Sequence, residues 1–175
     1  MDGGANIPEP ASRAHRSHLD SSYARPIALG WDADRDLLTA ARAIVHRAGG
    51  SARPAIPMVV LGEILLTSLS DMMEGQVRAD LVDSLAHNLG SYLRSGRVTL
   101  CGWGAGASAD AIEVAKDLRD GDPRLEPTDA LVVATAIECS SCDVLFTSDR
   151  GILLSRSVLR HASLAGLAIR EAPRG

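Results

Sequence analysis

The sequence predicts an α/β fold: a three-layer α/β/α sandwich with a mostly parallel central sheet. Three observations point there. The chain is 46% hydrophobic but only 3% aromatic. Its core must therefore be built from Ala, Val, Leu and Ile, which suits helices on a parallel sheet better than a β-sandwich. Stretches of helical periodicity alternate with short apolar runs of strand length. Finally, the 175 residues contain no internal repeat and no dividing linker. That length suits one domain, able to bury roughly 70% of its unfolded surface.

The elements follow in order. Residues 1–17 are rich in Ala, Gly, Pro, Ser, His and Arg and lack the apolar segment of a signal peptide. They read as a disordered lead-in to a domain spanning 18–175. Asp34 to Ala48 is a helix, with Leu37, Leu38, Ala41, Ile44, Val45 and Ala48 at helical spacing, Asp34 as its cap and Gly49-Gly50 as its stop. Ile56 to Leu69 begins as a short strand or extended entry around Pro57 and continues as a buried helix carrying Glu63. Asp71 to Arg94 reads as one longer amphipathic helix, because Val77, Leu81, Leu85, Leu89 and Leu93 recur every fourth residue. Val98 to Cys101 is a short strand and Gly102 to Ser108 a glycine-rich loop. Ala109 to Arg119 is helical, and Asp120-Gly121-Asp122-Pro123 is a turn. Thr128 to Glu138 is a buried helix with Leu131, Ala134 and Ile137 on one face. Asp143 to Thr147 is a buried strand, and Gly166 to Arg170 a last, weaker one.

The totals narrow the function classes. A net charge of −4 excludes the basic surface of a tight nonspecific nucleic-acid binder, but not a metal-dependent nuclease, whose site supplies its own acids. Three cysteines without a paired framework point to a reducing, cytoplasmic compartment. No apolar run approaches the roughly 20 residues of a membrane span, so no membrane association is expected.

Chemistry is concentrated in carboxylates. Hydrolysis of a phosphodiester needs an activated water and relief of charge on the phosphate, and carboxylates holding Mg²⁺ or Mn²⁺ provide for both. Asp149 directly follows the buried strand in Thr147-Ser148-Asp149, where open α/β sheets bind ligands. The competing assignment is a helix N-cap. Asp129 opens an apolar helix after Glu126-Pro127-Thr128, where the helix dipole alone would favour an acid. Glu63 interrupts the apolar run Met58 to Leu66. A Glu is rarely buried without a partner, so it is either paired with an Arg or bound to a cation. Asp20, in Leu19-Asp20-Ser21-Ser22, could also be a turn or cap residue. Asp32 and Asp34 compete with it, Asp32 being the reserve.

Together these settings resemble the PIN domain family, and within it the VapC-like toxins of toxin–antitoxin pairs. Asp20-Ser21-Ser22 is similar to the family's first motif, an Asp ending strand one before small hydroxyl residues. Ile56-Pro57-Met58-Val59-Val60-Leu61-Gly62-Glu63 is similar to the second, and Thr128-Asp129-Ala130-Leu131-Val132-Val133-Ala134 to the third. Val144-Leu145-Phe146-Thr147-Ser148-Asp149 is similar to the fourth. Many members carry a further acid two residues later, where this chain has Gly151.

The resemblance spans about Asp20 to Arg170. It implies a metal-dependent endoribonuclease, acting as the toxin of a toxin–antitoxin pair, with Asp20, Glu63, Asp129 and Asp149 as catalytic residues and ligands to one or two Mg²⁺ or Mn²⁺ ions. Thr147 and Ser148 would orient a carboxylate or water. It also implies an RNA substrate, a small antitoxin partner and a homodimer. Arg150, beside the site, is the candidate RNA contact; all but one of the 18 basic residues are Arg, which suits phosphate. The alternative is a noncatalytic PIN-like module for RNA binding or assembly, with an incomplete metal site. Cys139-Ser140-Ser141-Cys142 lacks a second ligand pair and reads as packing cysteines. His15 and His18, at the lead-in, are weak ligand candidates. Gly102 to Gly106 lacks the ending of a phosphate loop.

Overall fold

A computed structural model describes residues 16–30, 34–47, 53–101, 107–139 and 142–172. The apolar runs form the strands, and the periodic stretches form the helices between them. In chain order these are β1 (Arg16–Leu19), α1 (Ser21–Leu29), α2 (Arg35–Arg47), β2 (Ala55–Pro57), α3 (Met58–Met73), α4 (Ala79–Arg94), β3 (Thr99–Cys101), α5 (Ala107–Gly121), α6 (Pro127–Glu138), β4 (Cys142–Phe146), α7 (Arg150–Leu154), α8 (Arg156–Leu164) and β5 (Ala168–Arg170).

The five strands form one sheet in the order β3-β2-β1-β4-β5, and every pairing is parallel. Parallel neighbours need a crossover connection, and each crossover here carries two helices. The helices α1 to α4 pack among themselves, as do α5, α6 and α8, giving the three layers. Ala, Val, Leu and Ile fill the core between them. Leu19, Ile56 and Leu145 from the strands meet Ile27, Val60, Ile64, Leu118, Val132 and Ile152 from the helices.

Strand order fixes where a ligand belongs. The chain leaves β1 toward β2 and β3, then returns to β4 on the other side of β1 and moves outward to β5. The direction of winding therefore reverses between β1 and β4. The loops leaving their carboxyl ends diverge and open a crevice, the usual ligand position in open α/β sheets.

Several expectations need correction. β1 begins at Arg16, inside the stretch expected as lead-in; residues 1–15, His15 among them, lie outside the described residues. His18 is a fully buried strand residue, not part of a tail. The stretch Asp71 to Arg94 is not one helix. α3 runs on to Met73, and α4 starts only at Ala79. Gly75 at φ +73° turns the chain between them, a left-handed conformation that glycine adopts without a Cβ penalty. α5 absorbs Asp120 and Gly121 from the expected turn. α1, α7 and α8 are additional helices, and α1 accommodates Pro26 in its interior. The glycine-rich segment 102–106 and the Gly49-Gly50 stop lie outside the described residues.

Among the described residues, no helix is long and apolar enough to cross a membrane. α3 is not the buried helix expected: it buries Val60, Ile64 and Ser68 and leaves Met58, Leu65, Leu66, Leu69 and Met73 exposed as an apolar outer face.

Candidate metal centre at the switch point

Asp20 follows β1 directly. Its N–H donates to Phe146 O at 3.0 Å, extending the β1–β4 ladder by one residue. Its Oδ1 then accepts from Ser21 N–H at 2.7 Å and caps α1. Its Oδ2 accepts from Thr147 Oγ1 at 2.6 Å and Ser22 Oγ at 3.2 Å. The residue is only 2% exposed, and three groups, two from the first turn of α1 and one just after β4, hold its carboxylate in one orientation.

The same hydroxyls bind the loops to each other. Thr147 Oγ1, while donating to Asp20, accepts from Asp149 N–H at 3.0 Å. Ser22 Oγ accepts from Ser148 N–H at 3.0 Å. Ser21 Oγ lies 3.0 Å from Glu63 Oε1 and 3.4 Å from Asp20 Oδ1. It has one proton to give, and the shorter distance assigns it to Glu63. Thr147 itself is fully buried behind the site.

Glu63 reaches the site from the middle of α3, and Asp129 from the first turn of α6. Asp149 is the N-cap that the sequence allowed, and it also lines the cleft. Its Oδ1 accepts from Ile152 N–H at 3.1 Å and caps α7, while the residue stays exposed at the cleft. A Cβ on Gly151 would stand 2.9 Å from that Oδ1. The missing side chain thus leaves room for this cap.

Asp20, Glu63, Asp129 and Asp149 line a single open cleft of about 550 Å³, together with Ser21, Ser22, Ser148 and Arg150. Asp34 does not line it; it caps α2 through hydrogen bonds from Asp36 and Leu37 N–H. Asp32 lies outside the described residues. Sequence reasoning missed Glu126, Arg25, Arg124 and Thr67, which also line the cleft. Glu126 stands one turn before Asp129 and could have been flagged by that spacing. Nothing local marks the two arginines. Arg25 pairs with Asp71 from α3, and Arg124 pairs with Asp122 at 3.0 Å.

The electrostatics follow from five acids in one cleft. Burial pushes the Asp20 carboxyl above its ordinary range, against the lowering effect of its hydrogen bonds, and Asp149 adds to the rise. Burial likewise raises Glu63, with Asp20, Glu126 and Asp149 contributing. Asp129 is pushed to about 7, first by burial and then by Asp149, Asp20, Glu126 and Glu63. Two of the three lining arginines already have carboxylate partners of their own, so the cluster retains excess negative charge. Among the described residues, no three of these acids bring their oxygens within 4.8 Å of one another. The spread suits a cation that keeps part of its water shell, as Mg²⁺ does. Hard oxygen donors fit Mg²⁺ or Mn²⁺ and disfavour soft metals.

No family model matches the chain, and none of the curated proteins compared with it does. The fold is similar to a chain in the crystal structure of VapBC2 from Rickettsia felis bound to a DNA fragment from their promoter. The TM-score is 0.61 at 12% identity, over 90% of this chain and 99% of that one. At such identity the likeness is one of fold.

Proposed function

We propose that this chain is a divalent-metal-dependent endoribonuclease of the VapC-like PIN type, the toxin of a toxin–antitoxin pair. One observation carries the proposal: the sheet's switch point gathers Asp20, Glu63, Asp129 and Asp149 into one cleft whose excess negative charge calls for a cation. The fold similarity to a chain of a VapBC complex supports it.

In this proposal the four acids hold Mg²⁺ or Mn²⁺. When bound, such an ion polarises the phosphate and makes water a better nucleophile. The chain's own residues prepare the ground. Thr147 and Ser22 fix the Asp20 carboxylate, and Ser21 orients Glu63. Ser148 and Asp149 are set by backbone bonds to the same hydroxyls, so the backbone that carries Asp20 and Asp149 is held in place before an ion arrives. Arg150 is exposed at the cleft and has no ion pair among the described residues, which leaves its guanidinium for an RNA phosphate. The apolar outer face of α3, the helix that carries Glu63, is the kind of surface a protein partner covers. An antitoxin is the partner proposed here.

The test is cleavage of single-stranded RNA with Mg²⁺ or Mn²⁺, stopped by EDTA. Asp149→Asn should lower the rate at least about 10²-fold with the fold intact, and RNA affinity should fall far less. Gly151, where many PIN domains have a further acid, favours a second reading as a noncatalytic RNA-binding module. Antitoxin-free protein that binds RNA yet cuts nothing with either metal would establish that instead.

A further inference from the structure

A second group of ligand-type side chains lies apart from the carboxylate cleft. His18 sits in β1 and is fully buried. Neither Nδ1 nor Nε2 has a hydrogen-bond partner among the described residues. A neutral imidazole always has one donor and one acceptor, and burying both unmet is costly. Its surroundings explain the arrangement if the ring binds something. Cys101, the last residue of β3, and Cys139, just after α6, place their Sγ atoms 4.0 Å apart. Together with a ring nitrogen of His18, these atoms all lie within 4.8 Å of one another.

The spacing has a chemical meaning. Two thiolates on one tetrahedral zinc, each at about 2.3 Å from the metal, stand about 3.8 Å apart. The observed 4.0 Å is close to that and far beyond the roughly 2.05 Å of a disulfide. One imidazole and two thiols make a soft donor set, unlike the oxygen set of the cleft, so the two centres would select different metals.

Cys142 does not belong to the group. It is buried, and its thiol donates to Val144 O at 3.5 Å; burial pushes it up to about 12. The Cys-x-x-Cys spacing therefore misleads. Cys142 packs, as the sequence suggested, whereas Cys139 faces Cys101 across the fold.

We propose that His18, Cys101 and Cys139 form a zinc-type metal site, distinct from the carboxylate cleft, that ties β1, β3 and the end of α6 together. Each thiol gives up its proton on binding, so two thiolates balance one divalent ion and the buried site is neutral. Cys101 and Cys139 are only partly buried, and a water would complete the four ligands that zinc takes. Because His18 stands in β1 two residues before Asp20, which follows that strand, the bound ion would also steady the strand that delivers Asp20 to the cleft.

The test is Co²⁺ titration of the full-length reduced protein, followed by displacement with Zn²⁺. Wild type should take up one equivalent with thiolate-to-cobalt absorption in the near ultraviolet. X-ray absorption of the zinc-loaded protein should show two sulfur neighbours. Cys101→Ser and Cys139→Ser should each weaken binding by more than about 100-fold, beyond the effect of losing a residue that merely supports a ligand. Cys142→Ser and Asp149→Asn should leave the band in place. Circular dichroism checks the fold of each variant. Wild type without the cobalt band, or a zinc spectrum without sulfur, would overturn the site. So would a band that Cys142→Ser abolishes while Cys101→Ser preserves it.

Discussion

Replacing Asp129 by Asn should stabilise the metal-free protein at about pH 8 while weakening its response to metal. The Asp129 carboxyl is pushed to about 7 from an ordinary 3.8, by burial first and then by the neighbouring acids. In the unfolded chain the group titrates near its ordinary value. Between these two values the folded state holds a proton that the unfolded state has released. Stability from this group is therefore fully present below 3.8, falls as pH rises through the window, and is lost above 7. At full value the loss is about 4 kcal/mol, taking 1.36 kcal/mol per pH decade. Asp129 is partly exposed in an open cleft, and solvent screening brings the figure down to about 2 kcal/mol. Asn carries no charge and escapes that loss. For a domain of this size, about 2 kcal/mol corresponds to a rise in Tm of about 4–8 °C. Thermal melts of wild type and Asp129→Asn in EDTA, from about pH 5 to pH 8, measure it; the gain should shrink steadily toward the acid end. Mn²⁺ should raise the Tm of wild type more at about pH 8 than at pH 5, because ligand binding then competes with fewer protons. A variant that is neutral or destabilised at pH 8 would refute the reasoning, since it would mean that the charged carboxylate is already compensated within the protein. A gain independent of pH would refute it too.

Glu63→Gln should reduce the Tm rise that Mg²⁺ or Mn²⁺ produces; an unchanged response would assign Glu63 a structural role only. Thr147→Val removes the hydroxyl that donates to Asp20 and accepts from Asp149 N–H. It leaves two groups short of a partner and should cost about 2–4 kcal/mol in urea unfolding, with RNA cleavage reduced as well. A stability change under about 0.5 kcal/mol would show that the two loops are held by other contacts.

The buried strand before Asp149 and the buried helix after Asp129 were legible because both are apolar throughout, and their acids stand at the ends. Glu63 was legible for the opposite reason, as a charge inside an apolar helix. β1 was not legible. Arg16-Ser17-His18 gives no alternating pattern, and this strand is central only because β2 and β4 pair with it on either side. Its one buried polar ring, His18, reads as a tail residue until the sheet closes around it. α1 was hidden by Pro26, which lacks the N–H that a helix interior uses. The α3–α4 break was masked because Val77 to Leu93 keeps its period across a turn set by Gly75. Glu126, Arg25 and Arg124 reach the cleft through tertiary packing, and local sequence carries no sign of Arg25 or Arg124. The Cys101–Cys139 approach joins residues 38 apart, which no short motif can express.

The most direct test of the central claim is anomalous diffraction from crystals soaked in Mn²⁺. A Mn²⁺ peak is expected inside the cleft, within coordinating distance of oxygens from Asp20, Glu63, Asp129 or Asp149, with the remaining positions filled by water. Asp149→Asn should weaken or remove that peak without moving β1 or β4. A cleft with no Mn²⁺ at saturating soak, its carboxylates instead paired with Arg25, Arg124 or Arg150, would contradict the metal centre and the ribonuclease chemistry built on it.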